Sequence, residues 1–250
     1  MSVLKEEACK AVFKNVYDNL REVEETQMGG IRKTADAIAE ALMKGNFLIT
    51  FGTGHATLIA MEAFFRAGTL VPTDTLIDPP VTPLSGISTR VERDLGHYAR
   101  VLLDYHDVKT GDVIIIVSNS GVNSAIVECA MEAKKRGLTV VALTNLTHSK
   151  AVESRHPSGK KLFEVADIAI DNCGVWGDCS LEVGMNIKTA PTSHMVGGTI
   201  IHAIISQVAQ NMLKKGITPP IYLSANIPGS DVHNKKLLEK YVYTDRRKPW

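Results

Sequence analysis

The chain has no apolar run that approaches the ~20 residues a membrane-spanning helix needs, so no bilayer partner is expected. It also lacks an excess of either charge: Lys and Arg number 28, Asp and Glu 27, and the net charge is +1. That balance leaves nothing to drive binding to nucleic acid or to an acidic membrane surface. The short cationic runs Lys160-Lys161 and Arg246-Arg247-Lys248 read as solvated surface. Cysteine is scarce, with Cys9, Cys129, Cys173 and Cys179 the four in 250 residues. Two fall in helical patterns and two lie six apart in a glycine-rich stretch, which is neither a disulfide framework nor zinc-finger spacing. The N-terminus, MSVLKEEACKAVF, mixes charged and apolar residues and is not patterned as a secretory signal. These absences together predict a cytoplasmic protein. No internal repeat and no low-complexity linker interrupt the sequence, which predicts one domain over 1–250.

Hydrophobic residues make up 44% of the chain, enough for a substantial buried core. Apolar positions recur at helical spacing over 3–27 and again over 31–44, with Met28-Gly29-Gly30 between them, which predicts an N-terminal helical hairpin in 1–45. Over 46–215, apolar runs near 46–51, 73–78, 113–117, 138–143 and 165–170 alternate with helical patterns at 57–67, 90–103 and 192–215. Five strands alternating with helices predict a parallel sheet covered on both faces, a three-layer α-β-α sandwich with right-handed crossovers. The stretch 171–191 reads as a long irregular connection, of a length usually tied to function or to an interface. Residues 216–250 read as loop and one short helix.

Two polar loops stand at strand ends. The sharper is Gly111–Asn145, where the run Val113–Val117 stops at Ser118-Asn119-Ser120-Gly121-Val122-Asn123-Ser124 and a helix follows at once. A helix N-cap accounts for one or two polar residues, whereas five hydroxyls and amides occupy these seven positions. With the loop amides and the positive end of a helix, they form an uncharged nest for an anion. The other loop, Gly52-Thr53-Gly54-His55-Ala56-Thr57, lets backbone approach a ligand closely. It is not a dinucleotide fingerprint, because Thr57 stands where the third glycine belongs. In an open parallel sheet both loops lie at the carboxyl edge and share one crevice.

These residues resemble the SIS (sugar isomerase) fold, a phosphosugar-binding module of flavodoxin-like architecture. Ser118-Asn119-Ser120-Gly121-Val122-Asn123 matches its Ser-x-Ser-Gly-x-Thr/Asn hallmark, and Gly52–Ala56 matches its upstream glycine loop. Glu62 with Phe65-Arg66-Ala67-Gly68, Asp171-Asn172-Cys173 with Gly177-Asp178, Pro191-Thr192-Ser193 and Asn226–Asn234 resemble a bacterial SIS family of unassigned activity, often labelled phosphoheptose isomerase. His194 departs from that pattern, where a small hydroxyl residue is usual, and so does Ala56-Thr57, where Ser-His is commoner. The resemblance implies a five-stranded parallel sheet and a homodimer or homotetramer with sites at subunit interfaces.

Aldose–ketose isomerisation of a sugar phosphate is the activity this points to. The reaction moves a proton between adjacent carbons through an enediol and needs a base and a polar partner for oxygen. Glu62, two turns into the first core helix and among apolar neighbours, is the expected base, in line with a helix glutamate often used by SIS isomerases and etherases. Histidine is the natural partner, with His55 first for contact, and with His97, His194, His202 and His233 as further candidates. His194 and His202, eight apart on the long helix, resemble in placement the C-terminal-helix histidine of phosphoheptose isomerases. Ser118, Asn119, Ser120, Gly121 and Asn123 are expected to hold the phosphate, while Gly54, His55, Thr192, Ser193 and His233 line the sugar. Cys173, Asp178, Cys179, His194 and His202 have metal-binding chemistry, but their spacing does not match a metal site, and no metal or other cofactor is expected. Two other readings use the same site: an amino-sugar-phosphate lyase or etherase, and a sugar-phosphate sensor without turnover.

Overall fold

The structure, a computed structural model, describes residues 7–85, 87–94 and 97–242. Leu95, the basic run 246–248 and residues 1–6 lie outside that set. In chain order the elements are α1 (Ala8–Met43), β1 (Leu48–Gly52), α2 (Ala56–Met61), β2 (Thr73–Leu76), a 3-10 turn (Pro79–Val81), α3 (Ser88–Asp94), α4 (Tyr98–Tyr105) and β3 (Val113–Ser118). There follow α5 (Ser124–Lys135), β4 (Thr139–Thr144), α6 (Leu146–Ala151), α7 (Leu162–Val165), β5 (Ile168–Asp171), β6 (Cys179–Gly184), β7 (Ile187–Pro191), α8 (Ser193–Lys214) and α9 (Ser230–Tyr241).

Five strands form one parallel sheet in the order β2-β1-β3-β4-β5. Side chains alternate across it. Val113, Ile115 and Val117 face α1, α2 and α8, while Ile114 and Ile116 face α4, α5 and α7. Both faces are covered, so the central strand β3 reads as an unbroken apolar run from Val113 to Val117. Each fully buried Ile or Leu contributes about 1.5–3 kcal/mol. No helix among the described residues is long and apolar enough to cross a membrane.

Four expectations are corrected. The N-terminal hairpin is one continuous helix of 36 residues that runs straight through Gly29-Gly30. Gly30 is where α1 touches the sheet: a Cβ there would lie 3.3 Å from Ile170 Cγ1 and 3.6 Å from the Ala169 carbonyl oxygen. The pair that resembles a break is thus partly a contact requirement. Second, the helix expected over 57–67 ends at Met61 and passes into tight turns, with Phe65 in a left-handed conformation at φ 48°. Third, the helix expected over 90–103 is split into α3 and α4, because His97 at φ 65° cannot continue one. Fourth, the stretch 171–191 is not wholly irregular: β6 and β7 pair as an antiparallel hairpin around Met185-Asn186, both at positive φ, as a two-residue hairpin turn of this hand requires. Asn15 of α1 anchors this hairpin by donating to the Ser180 carbonyl at 3.0 Å.

A Cβ added at Gly29 would have nothing within 4 Å, whereas one at Gly30 is in contact. Gly29→Ala is therefore expected to stabilise the protein by about 0.5–1 kcal/mol, the helix-propensity difference. Gly30→Leu drives extra atoms into Ile168 and Ile170 and is expected to cost about 1–3 kcal/mol. Urea unfolding of both variants checks the pair of signs.

Candidate functional site

β1 and β3 are neighbours in the middle of the sheet, yet α2 packs on one face and α5 on the other. Their tips are left uncovered, the position at which open parallel sheets form a crevice. A cavity of about 240 Å³ lies there. The loop after β1 lines it with Thr53 and His55, and the loop after β3 with Ser118, Asn119, Ser120 and Asn123. Glu92 of α3 closes one side, and His148, Asn172, Asp178 and Ser193 close the other.

The β3 loop is held by bonds to its own backbone and to distant segments. Gly121 donates its N–H to Ser118 Oγ at 3.1 Å, and its carbonyl accepts from Leu162 N at 2.8 Å. Gly121 sits at φ 62°, and a Cβ there would meet Ser149 Oγ at 3.0 Å and Thr144 Oγ1 at 3.1 Å, so glycine is required twice over. Asn119 Oδ1 accepts from Asn172 Nδ2 at 2.8 Å, which ties the loop to the end of β5. Asn123 stands at the N-cap position of α5 with its side chain free of the helix amides, and the 12 residues of α5 aim their N-terminal end at the crevice.

Asn123 also sits in a chain of polar contacts that leads to Glu92. Its Oδ1 accepts from Arg155 Nη1 at 2.8 Å, and its side chain bonds Glu92, which also takes the hydroxyl hydrogen of Thr53. Glu92 is only 8% exposed. Burial raises its carboxyl above the ordinary 4.5, against the opposing pull of the Thr53 and Asn123 hydrogen bonds and of Arg93 and Arg155. On the facing wall, burial lowers the pKa of His148 below its ordinary 6.5. His148 Nδ1 accepts the Gly177 N–H at 3.2 Å, and its ring stacks on Trp176 with centroids 5.7 Å apart. Asp178 accepts from both the backbone N–H (3.0 Å) and the hydroxyl (2.6 Å) of Ser193.

The cavity thus gathers Ser118, Asn119, Ser120, Asn123, His55 and Ser193, while Gly54 and Gly121 shape its loops. It does not gather the other residues singled out from the sequence. Glu62 is not among its lining residues. It bonds Arg66, and its Oε2 lies 3.1 Å from His202 Nε2. This pair is about one helical turn along α2 and α8 from Ile59 and Gly197, which do line the cavity. Thr192 is buried with its hydroxyl unpartnered and lines a neighbouring groove beside Asn19 and Cys173. His233 bonds the Ile221 carbonyl oxygen of its own chain at 2.9 Å, and His97 and His194 are exposed outside the cavity. Cys173, Asp178, Cys179, His194 and His202 do not converge, and among the described residues no three His, Cys, Asp or Glu side chains form a metal-binding group.

Sequence reasoning missed Glu92 and His148 as site residues, and singled out Asp178 only for its family-like stretch and its metal-binding chemistry. Glu92 lies in a polar helical segment and His148 in a polar stretch, and neither carries a local pattern. Only the crossover that brings α3 over Thr53, and the long connection that brings Gly177 to α6, place them here.

With this geometry in hand, comparison with known proteins is specific. The SIS domain matches residues 12–145. A UPF0309 protein of Shouchella clausii is 40% identical over 216 residues, covering 84% of this chain and 87% of that one. The chain belongs to the UPF0309 family of SIS-domain proteins. Its fold is shared with a phosphoheptose isomerase from Francisella tularensis, at TM-score 0.55 and 16% identity over 81% of this chain and 96% of that one. It is shared too with the Vibrio vulnificus NanR protein complexed with ManNAc-6P, at TM-score 0.53 and 13% identity over 96% and 72%.

A buried carboxylate with a raised pKa destabilises the fold whenever it is ionised. The folded state binds this proton more tightly than the unfolded chain does, so its penalty is greatest at the alkaline end and fades as pH falls toward 4.5. Glu92→Gln removes the charge and keeps one acceptor oxygen for the Thr53 hydroxyl. It is expected to raise the melting temperature at pH 7.5, with a gain that shrinks by pH 5. His148 acts with the opposite sign, losing stability as pH falls through about 6.5, but both proteins carry it and its contribution cancels in the difference. Differential scanning calorimetry at four or so pH values reads the trend.

Proposed function

We propose that the cavity binds a sugar phosphate and that the chain catalyses aldose–ketose isomerisation of it through an enediol. The observation that carries this reading is the convergence of Ser118, Ser120, Asn123 and the start of α5 with His55 and Ser193 on one cavity between β1 and β3. Hydroxyls, amides and helix N–H groups hold a phosphate dianion, and being uncharged they also let it leave. The sugar then lies toward His55, Gly54 and Ser193. Phosphoheptose isomerase and the ManNAc-6P complex of NanR, which share this fold, support the substrate class.

The same reading takes the protein to be a cytoplasmic homodimer or homotetramer. Its four cysteines are free, which suits a reducing compartment. Leu58, Met61 and Phe65, exposed beside Glu62 and His202, suit an apolar contact that would place these two side chains at a subunit boundary.

Two measurements test the reading. In a thermal-shift series over hexose, heptose and amino-sugar phosphates, a true ligand at a hundred times its dissociation constant adds about 2.7 kcal/mol. Ser120→Ala is expected to weaken that ligand about tenfold, the worth of one hydrogen bond to a charged group. No stabilisation by any member of the series, or an unchanged affinity in Ser120→Ala, would remove the basis for a phosphate site at this loop.

A further inference from the structure

We propose that Glu92 and His148 are the acid–base pair of this cavity: the Glu92 carboxylate carries the carbon-bound proton, and His148 Nε2–H serves the sugar oxygens. This rests on the reading above that the cavity takes an isomerisable sugar phosphate.

Among the described residues two acidic side chains are buried, Glu92 and Asp112. They are solved differently. Asp112 sits at the opposite end of β3, where it accepts the backbone N–H groups of Phe47 at 2.9 Å and Lys109 at 2.8 Å, a structural clamp. Glu92 instead lines the cavity, and its hydrogen-bond partners are Thr53 and Asn123, which line it too. It makes no ion pair among the described residues. A carboxylate buried without a directly paired cation beside a loop of anion-binding chemistry opposes both folding and phosphate binding, and is retained where its proton affinity is used.

His148 is fixed as a hydrogen donor toward the cavity. Its Nδ1 is occupied as an acceptor by Gly177 N–H, so the neutral ring carries its hydrogen on Nε2. Asn145 orients the helix that bears it, accepting His148 N at 2.8 Å and donating to the Val175 carbonyl at 3.1 Å. Trp176 stacks on the ring from outside.

The proton and electron count closes within the pair. With the open-chain aldose held by its phosphate, Glu92 removes the proton from C2. The C–H electron pair becomes the C1=C2 double bond, and O1 takes the Nε2 proton of His148. Glu92 then returns its proton to C1, using the electrons of that double bond. The O2–H electron pair becomes the C2 carbonyl, and the O2 proton goes back to His148. No oxidant, reductant or second substrate is consumed.

The test measures exchange of carbon-bound hydrogen for deuterium by NMR, with glucose 6-phosphate, sedoheptulose 7-phosphate and glucosamine 6-phosphate as probes, alongside calorimetric binding of inorganic phosphate. Glu92→Gln is expected to lose exchange about 10²–10⁴-fold while binding phosphate as well as or better than wild type. Glu92→Asp, which keeps a carboxylate at a changed reach, is expected to recover part of the rate. His148→Asn keeps an acceptor for Gly177 N–H and lacks the Nε2 hydrogen, and is expected to slow exchange at least about tenfold. Wild-type exchange that survives in Glu92→Gln to within about fivefold overturns this assignment and leaves the isomerase reading standing. Phosphate binding without exchange of any of the three sugars by wild type overturns both.

Discussion

Parallel strands cannot be joined by tight turns, so each must be followed by a crossover on one face of the sheet or the other. At β1 and β3 the crossovers diverge, α2 to the face covered by α1 and α8, α5 to the face covered by α4 and α7. Nothing then covers the two tips. Every polar group of the cavity is positioned by that divergence: the β1 loop and the β3 loop meet across it, α3 crosses it with Glu92, and α6 and α8 flank it with His148 and Ser193. A fold in which both helices left on the same side would bury these loops and leave their amides without water or ligand.

The site combines two opposed electrostatic demands. The loop after β3 offers only neutral donors and a helix end, which favours an anion at modest strength. Glu92 sits beside it as an anion of the protein's own, buried and bonded to Thr53 and Asn123. An arginine, Arg155, stands one hydrogen bond further back, on the far side of the Asn123 amide. Positive charge therefore acts at a distance rather than by direct pairing.

The sheet was legible in the sequence because both its faces are buried. The runs Val113–Val117 and Leu138–Leu143 could be taken for strands without alternation. The polar loop after β3 stood out as a cavity-lining segment for a related reason, since five small polar residues at a strand end exceed what capping needs. The misread parts depend on contacts made between distant segments. Gly29-Gly30 has the local signature of a helix end, and the approach of β5 explains Gly30 in mid-helix. The hairpin of β6 and β7 has mixed exposure without clean alternation and turns on Met185-Asn186 rather than on glycine. Glu92 looks like any surface glutamate in a run of charges until α3 lies over Thr53.

Asn145 has no exposed surface and uses both ends of its amide, one on the start of α6 and the other on the Val175 carbonyl. It thereby bolts the rim segment that carries Trp176 and Asp178 to the tip of β4. A rim fastened in this way does not need to order itself around an arriving molecule, so little chain entropy is lost on capture.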